Sequence, residues 1–346
     1  MNSQKEKQPV GVIGAGSFGT AIANLLSENQ DVLLYSRRDH IVEAINTMHT
    51  HRGIKLSDNI KATKSLQEVA EKCTLIFPIV SSENFREMMV SFSKYLRPYH
   101  ILIHGTKGID TAEKNSSIKV GIRNRIHTMS EVILQESSVI RVGCLSGPNL
   151  SAEIIQGQPA ATVIASKFDE IIKVGRKALR SPKFQVFGTH DILGAEMAGA
   201  LKNVVAVAAG ILGGLGLGYN IWGLLITRGL MEMIHLGKVM GADTSAFLGL
   251  AGIGDLVSTA SSKTSRNYTF GMYLAQGLTV EEILEKMNEV AEGARTLNIV
   301  YEVAKYYKIH SPIMETLYKV VYEGAEIKES INYLMNYPYA IDVDFL

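Results

Sequence analysis

Short apolar runs alternate with helix-patterned stretches through the first half of the chain. Residues 10–13, 32–35, 75–78, 100–104 and 139–145 are brief runs rich in Val, Ile and Leu, the pattern of strands buried on both faces. Residues 20–28, 40–48, 66–72, 85–95 and 116–130 lie between or beside them with helical spacing of apolar positions. Two further runs, 161–165 and 184–187, are expected to extend the same sheet. Alternation of this kind predicts an α/β domain with a mostly parallel sheet. Beyond Gly194 the strand signals stop and helical patterns dominate to the end. The shift predicts an α/β domain over residues 1–193 and an all-α domain over residues 194–346.

One stretch has the length of a membrane span, which needs ~20 apolar residues. From Met197 to Thr227 the sole charged residue is Lys202. However, Gly210, Gly213, Gly214, Gly216 and Gly218, followed by Tyr219 and Asn220, interrupt the run. Glycine is costly in helix interiors, so two buried core helices with a glycine-rich joint are predicted, and no membrane span. The 35 Lys+Arg against 34 Asp+Glu leave a formal charge of +1, which argues against a nucleic-acid footprint. The length of 346 residues is enough for two domains, each with its own core. Cys73 and Cys144 are too few for a disulfide scaffold. The polar segment 1–9 runs into the first strand without a signal-peptide pattern, so a cytoplasmic location is expected.

The strongest local signal is Gly14-Ala15-Gly16-Ser17-Phe18-Gly19, placed between a predicted strand and a predicted helix. In that context the motif reads as a Rossmann-type dinucleotide fingerprint. Gly14 permits the tight turn, Gly16 lets the backbone approach the pyrophosphate, and Gly19 allows close helix–strand packing. The end of the second strand reads Ser36-Arg37-Arg38, where an NAD site usually offers an acidic residue. Two guanidiniums suit a 2′-phosphate, so NADPH is the expected cofactor and NADH stays open. Lys202 stands alone on an apolar helix; an ammonium so placed either snorkels to water or performs chemistry. Asn203 beside it reads as a satisfied helix residue or a partner of the lysine. Asp255, after Gly252-Ile253-Gly254, reads by itself as a helix N-cap. Arg266, in a polar stretch, reads by itself as solvated. Lys107 lies in a turn after a strand, where α/β folds place ligands. No metal site is expected: His49 and His51 are not on one helix face, and no H-E-x-x-H or Cys-x-x-Cys occurs.

Taken in order, these residues resemble the bacterial-type NAD(P)-dependent glycerol-3-phosphate dehydrogenases. The resemblance rests on the glycine motif with Thr20-Ala21, then Thr106-Lys107-Gly108, Ser146-Gly147-Pro148 and Leu201-Lys202-Asn203-Val204. It continues with Leu225-Ile226-Thr227-Arg228-Gly229-Leu230, Ala251-Gly252-Ile253-Gly254-Asp255-Leu256, Ser265-Arg266-Asn267 and Glu292-Gly293. It implies reversible hydride transfer between the nicotinamide and C2 of dihydroxyacetone phosphate or sn-glycerol 3-phosphate, at the start of phospholipid synthesis. By this resemblance Lys202 is the general acid/base at the substrate, and Asp255 holds the substrate and orients the lysine. Lys107 contacts substrate and cofactor. Arg266 clamps the substrate phosphate and also reaches the cofactor, with Ser265 and Asn267 adding hydrogen bonds. Gly147 and Asn149 fall at substrate positions. Ser17, Phe18, Arg37, Arg38, Ser151, Val290 and Glu292 fall at cofactor positions.

Three departures bear on substrate fit. Asn149 stands where the family has Ser or Thr, Val80-Ser81-Ser82 lacks the usual Pro-Ser, and Trp222 enters a normally polar stretch. A paralogue acting on another small phosphorylated ketone is therefore an alternative, as is a dinucleotide-sensing protein that has lost catalysis. A homodimer is compatible with either reading.

Overall fold

Among the described residues the strands run β1 (Val10–Ile13), β2 (Val32–Tyr35), β3 (Thr50–His51), β4 (Ile54–Lys55), β5 (Ile60–Thr63) and β6 (Leu75–Pro78). Then follow β7 (Ile101–His104), β8 (Asp110–Thr111), β9 (Ile126–His127), β10 (Arg141–Ser146), β11 (Ala160–Ala165) and β12 (Phe184–Thr189). The computed structural model describes residues 8–111, 125–287, 291–338 and 341–342. The chain divides into two units, one of residues 1–106 and 127–192 and the other of residues 107–126 and 193–346. The stretch carrying Lys107 thus groups with the helices rather than with the sheet.

Eight strands form one sheet in the order β12-β11-β10-β7-β6-β1-β2-β5. All neighbours are parallel except β10 and β11. The six strands from β5 to β10 follow the doubly wound dinucleotide-fold order, with β11 and β12 appended antiparallel to them. The chain leaves β1 for β2 on one side and later crosses to β6 on the other. The carboxyl end of β1 is therefore the topological switch point, where such sheets bind ligands.

The strand side chains alternate between two covering layers, as the two-residue period requires. Val10, Val12, Ile101 and Ile103 pack with the helices Ser17–Ser27, Asp39–Met48 and Asp169–Leu179. Ile13 and Leu102 face Val69, Phe85, Met89 and Ile133 from the helices Leu66–Lys72, Ser82–Ser93 and Met129–Glu136. Both faces are buried, which is why these strands read as continuous apolar runs.

The helix expected over 116–130 is not found where the chain is described. Residues 112–124 lie outside the described residues, Ile126–His127 is a strand, and the helix begins at Met129. The start is fixed by a reciprocal cap. The Thr128 side chain accepts from the Glu131 N–H while the Glu131 carboxylate accepts from the Thr128 N–H. Strand β5 and the helix Asp169–Leu179 had no counterpart in the sequence reading.

In the second unit the helix Ile192–Gly214 is buried at nearly every position, with the following helix Tyr219–Val239 against the same core. The apolar stretch is thus a core helix. The helix is not interrupted at Gly210, contrary to expectation, and the joint is confined to residues 215–218. A Cβ on Gly210 would collide with the carbonyl of Tyr268, and one on Gly271 with the carbonyl of Val207. These glycines let the helix Arg266–Ala275 cross the long helix at backbone contact. Packing over that crossing offsets the propensity cost of about 1 kcal/mol per glycine. The crossing also brings the segment containing Arg266 and Asn267 against the one containing Asn203.

Candidate active site

In the first unit each fingerprint glycine has a distinct geometric reason. Gly14 has φ 115° and a Cβ there would collide with the Ile79 carbonyl. A Cβ on Gly19 would collide with the Gly14 carbonyl, so the helix can start only this close to the strand with glycine. At Gly16 a Cβ would meet nothing within 4 Å. That open space lies beside the first turn of the helix Ser17–Ser27, whose N–H groups and dipole favour an anion. The loop therefore fits a dinucleotide pyrophosphate, with Gly16 as the point of close approach. Ser17 and Phe18 open the helix, and Arg37 and Arg38 stand exposed just after β2, the neighbour of β1.

Gly147, at φ 141°, and Asn149 follow β10. The Asn149 amide is turned onto β11: its Nδ2 donates to the Ala161 carbonyl at 3.0 Å and its Oδ1 accepts from Thr162 Oγ1 at 2.8 Å. Serine has a single hydroxyl for both tasks, so this departure ties the turn to the sheet. Ser151 is the first residue of the short helix Ser151–Ile155.

In the second unit two lysines converge on one carboxylate. Lys107 Nζ donates to Asp255 Oδ2 at 2.6 Å. Lys202 Nζ lies 3.2 Å from Asp255 Oδ1 and donates to Thr259 Oγ1 at 2.6 Å. Thr259 Oγ1 in turn donates to Asp255 Oδ1 at 3.2 Å. Asp255 is the first residue of the helix Asp255–Ser261, so Asp255 and Thr259 share a face one turn apart. The N-cap reading of Asp255 is overturned: Gly254 is the flanking residue, and the carboxylate serves side chains rather than helix N–H groups. A π-helical turn, Leu250–Gly254, feeds directly into this helix.

Burial pushes the Lys202 ammonium down to about 8, and the positive charges of Lys107 and Arg266 act in the same direction. Asp255 opposes them by Coulombic attraction and a hydrogen bond. Two ammoniums on one buried carboxylate leave a net positive charge, which suits an oxyanion or a phosphate. A proton on Lys202 is thus held by two oxygen acceptors yet exchangeable near neutral pH.

Around this cluster, Ser265 caps the helix Arg266–Ala275, accepting from the Tyr268 N–H. Arg266, the first residue of that helix, is exposed. Asn267 Nδ2 donates to Asn203 Oδ1 at 2.8 Å, and Asn267 Oδ1 accepts from the Gly293 N–H at 2.8 Å. Glu292 begins the helix Glu292–Tyr307. Val290 lies outside the described residues. The sequence reading missed Thr259; its signal was the four-residue spacing from Asp255. Among the described residues no group of three or more His, Cys, Asp or Glu could hold a metal ion.

Comparison with known proteins gives concordant matches over nearly the whole chain. Residues 9–172 match the family model for the NAD-dependent glycerol-3-phosphate dehydrogenase N-terminus, and residues 191–332 match that for its C-terminus. The glycerol-3-phosphate dehydrogenase [NAD(P)+] of Pseudomonas aeruginosa (strain LESB58) is 37% identical over 346 residues, covering 99% of this chain and 98% of that protein. That of Staphylococcus haemolyticus is 37% identical over 329 residues, with 94% and 96% covered. The crystal structure of glycerol-3-phosphate dehydrogenase from Coxiella burnetii superposes with a TM-score of 0.85 at 30% identity, covering 95% of this chain and 99% of that one. With the glycine loop at the switch point and the lysine pair on one carboxylate, these matches place the chain in the NAD-dependent glycerol-3-phosphate dehydrogenase family.

Proposed function

We propose that this protein reduces dihydroxyacetone phosphate at C2 to sn-glycerol 3-phosphate, reversibly, with NADPH as the preferred reductant. The product is the glycerol phosphate that starts phospholipid synthesis, and the reaction belongs in the cytoplasm. The observation that carries this reading is the buried Lys202 ammonium, bonded to Thr259 and paired with Asp255, beside Lys107. When bound, the nicotinamide supplies the hydride; the chain supplies everything else.

Lys202 Nζ gives its proton to the ketone oxygen in reduction and takes one from the alcohol in oxidation. Thr259 and Asp255 hold Nζ in place and share its charge. Lys107 adds positive charge for the developing alkoxide, and such preorganised charge counts for more in a buried site than in water. Arg266 binds the substrate phosphate, with Asn267 and Ser265 fixing the start of its helix; Gly147 and Asn149 are assigned to the substrate by family likeness alone. The N–H groups at residues 16–19 take the pyrophosphate. Arg37 and Arg38 would hold the 2′-phosphate, since guanidiniums stay charged and can supply charge-assisted hydrogen bonds to it. Ser151, Val290 and Glu292 are assigned to the cofactor by family likeness alone.

The test is consumption of NADPH absorbance by the purified protein with dihydroxyacetone phosphate. Turnover of that ketone, with unphosphorylated dihydroxyacetone a poor substrate, is the expected result. Turnover restricted to a different phosphorylated ketone would make the chain a paralogue. NADPH binding without turnover of any ketone phosphate would make it a sensor.

A further inference from the structure

A hairpin that the catalytic reading leaves unused touches the cofactor loop. The helix Asp39–Met48 ends on His49 in the left-handed region, at φ 48°. The chain then forms the hairpin β3–β4, with Thr50 opposite Lys55 and His51 opposite Ile54. Its two-residue turn is Arg52-Gly53, at φ 53° and 74°. Two successive left-handed residues are the requirement of a tight hairpin turn of the kind whose twist matches the strands. The register of the hairpin is thereby fixed, and it aims His51 at the loop. His51 Nε2 lies 2.8 Å from the carbonyl oxygen of Ala15, between Gly14 and Gly16. A carbonyl only accepts, so Nε2 carries the proton and donates.

We infer that His51 is a cofactor-positioning residue, which orients the Ala15–Gly16 peptide for the dinucleotide pyrophosphate. A trans peptide directs its N–H opposite to its carbonyl, and no cis bond occurs among the described residues. Holding the Ala15 carbonyl toward the hairpin therefore turns the Gly16 N–H away from it. The Ile13–Gly14 and Gly16–Ser17 peptide groups are tied separately. Gly14 N–H donates to the Tyr35 carbonyl at 3.1 Å, and the Gly16 carbonyl accepts from the Thr20 N–H at 2.9 Å and from Thr20 Oγ1 at 2.8 Å. Gly16 at one end of the Ala15–Gly16 peptide leaves its backbone torsion free of the Cβ restriction. His51 is the side chain that removes this freedom before the cofactor arrives, which lowers the ordering cost of binding.

This inference rests on residues 14–19 being the dinucleotide site, and binding titrations separate the two. NADPH and NADH are titrated without substrate into wild type, His51→Ala, His51→Phe and His51→Gln. Phenylalanine keeps the ring and removes the donor, whereas glutamine restores an N–H at similar reach. Expected is a loss of affinity of about tenfold for both dinucleotides in the alanine and phenylalanine variants, with the NADPH/NADH ratio unchanged. Glutamine should recover affinity to within about threefold. In steady state the cofactor KM should rise while kcat at saturating cofactor and the KM for dihydroxyacetone phosphate hold. Wild type that binds no dinucleotide would overturn the assignment of the loop itself. Wild type and both donor-less variants binding equally would overturn the role of His51. So would variants that melt earlier and lose affinity without rescue by glutamine, since a merely structural residue behaves that way.

Discussion

Replacing Lys202 by methionine tests the proposed proton donor with little disturbance of shape. Methionine keeps the apolar stem in a helix packed into the apolar core of the second unit, and it removes the ammonium that bonds Thr259 and Asp255. The gap between about 8 in the fold and the ordinary 10.5 of a lysine amounts to about 3 kcal/mol against the charged form. That cost disappears in the variant, and Asp255 keeps Lys107 as its partner at 2.6 Å. The variant should therefore fold and melt no lower than wild type at neutral pH. Between about 8 and 10.5 the unfolded wild-type chain binds more protons at this site than the folded one, so this lysine makes stability rise with pH there. The variant should lack that slope. Its turnover should fall by 10²–10⁴, the usual worth of a general acid, with NADPH affinity nearly unchanged. With Lys202 as the proposed proton donor, kcat for ketone reduction should fall as pH rises through about 8, while glycerol phosphate oxidation rises through the same range. Asp255→Asn should move that limb to lower pH, because it removes the charge that retains the proton. Lys107→Met should move it to higher pH, because it removes a like charge. The assay is stopped-flow or steady-state loss of NADPH absorbance over a pH series. A folded Lys202→Met protein with turnover within a few-fold of wild type, or with the same limb, would remove this lysine from the mechanism.

Changing Arg37 and Arg38 together to alanine should weaken NADPH by about tenfold or more relative to NADH, since each charge-assisted bond is worth roughly 1.5–3 kcal/mol; equal losses in cofactor titrations would show that neither reads the 2′-phosphate. Arg266→Lys keeps the charge and loses the fork, so the KM for dihydroxyacetone phosphate should rise with NADPH affinity little changed. Its selectivity over unphosphorylated dihydroxyacetone should fall in the same assays. Glu232 is buried, and its two oxygens accept from the Ile313 and Met314 N–H groups at 2.7 and 3.0 Å, at the start of the helix Pro312–Tyr322. Glu232→Ala should cost about 2–4 kcal/mol in denaturant unfolding, since both N–H groups lose their acceptor. Burial raises the Glu232 carboxyl from 4.5 to about 8. Its contribution to stability is therefore full below pH 4.5 and lost as pH rises through about 8; Glu232→Gln should abolish that slope in a melting series.

Features that arise from local chemistry are legible in the amino-acid order alone. Runs such as Val10-Gly11-Val12-Ile13 read as buried strands, and β1, β2 and β6 begin and end where the apolar runs do. The glycine motif is legible because each glycine answers a demand of its own few neighbours. Lys202 declared itself by its isolation in an apolar helix. Features that depend on distant partners emerge only once the chain is folded. Strand β5, Ile-Lys-Ala-Thr, carries too little apolar pattern to be read alone and exists because the edge of β2 pairs with it. Gly210 looks like a helix breaker until Tyr268 is brought onto it. Asp255 reads as a cap because its partners stand far away in sequence, Lys107 being 148 positions distant. Thr259 meets Lys202 across 57 positions, and His51 meets Ala15 across 36. Local propensity acts over a turn or two of chain. A buried charge needs partners within about 4 Å, and only the fold decides which residues those are.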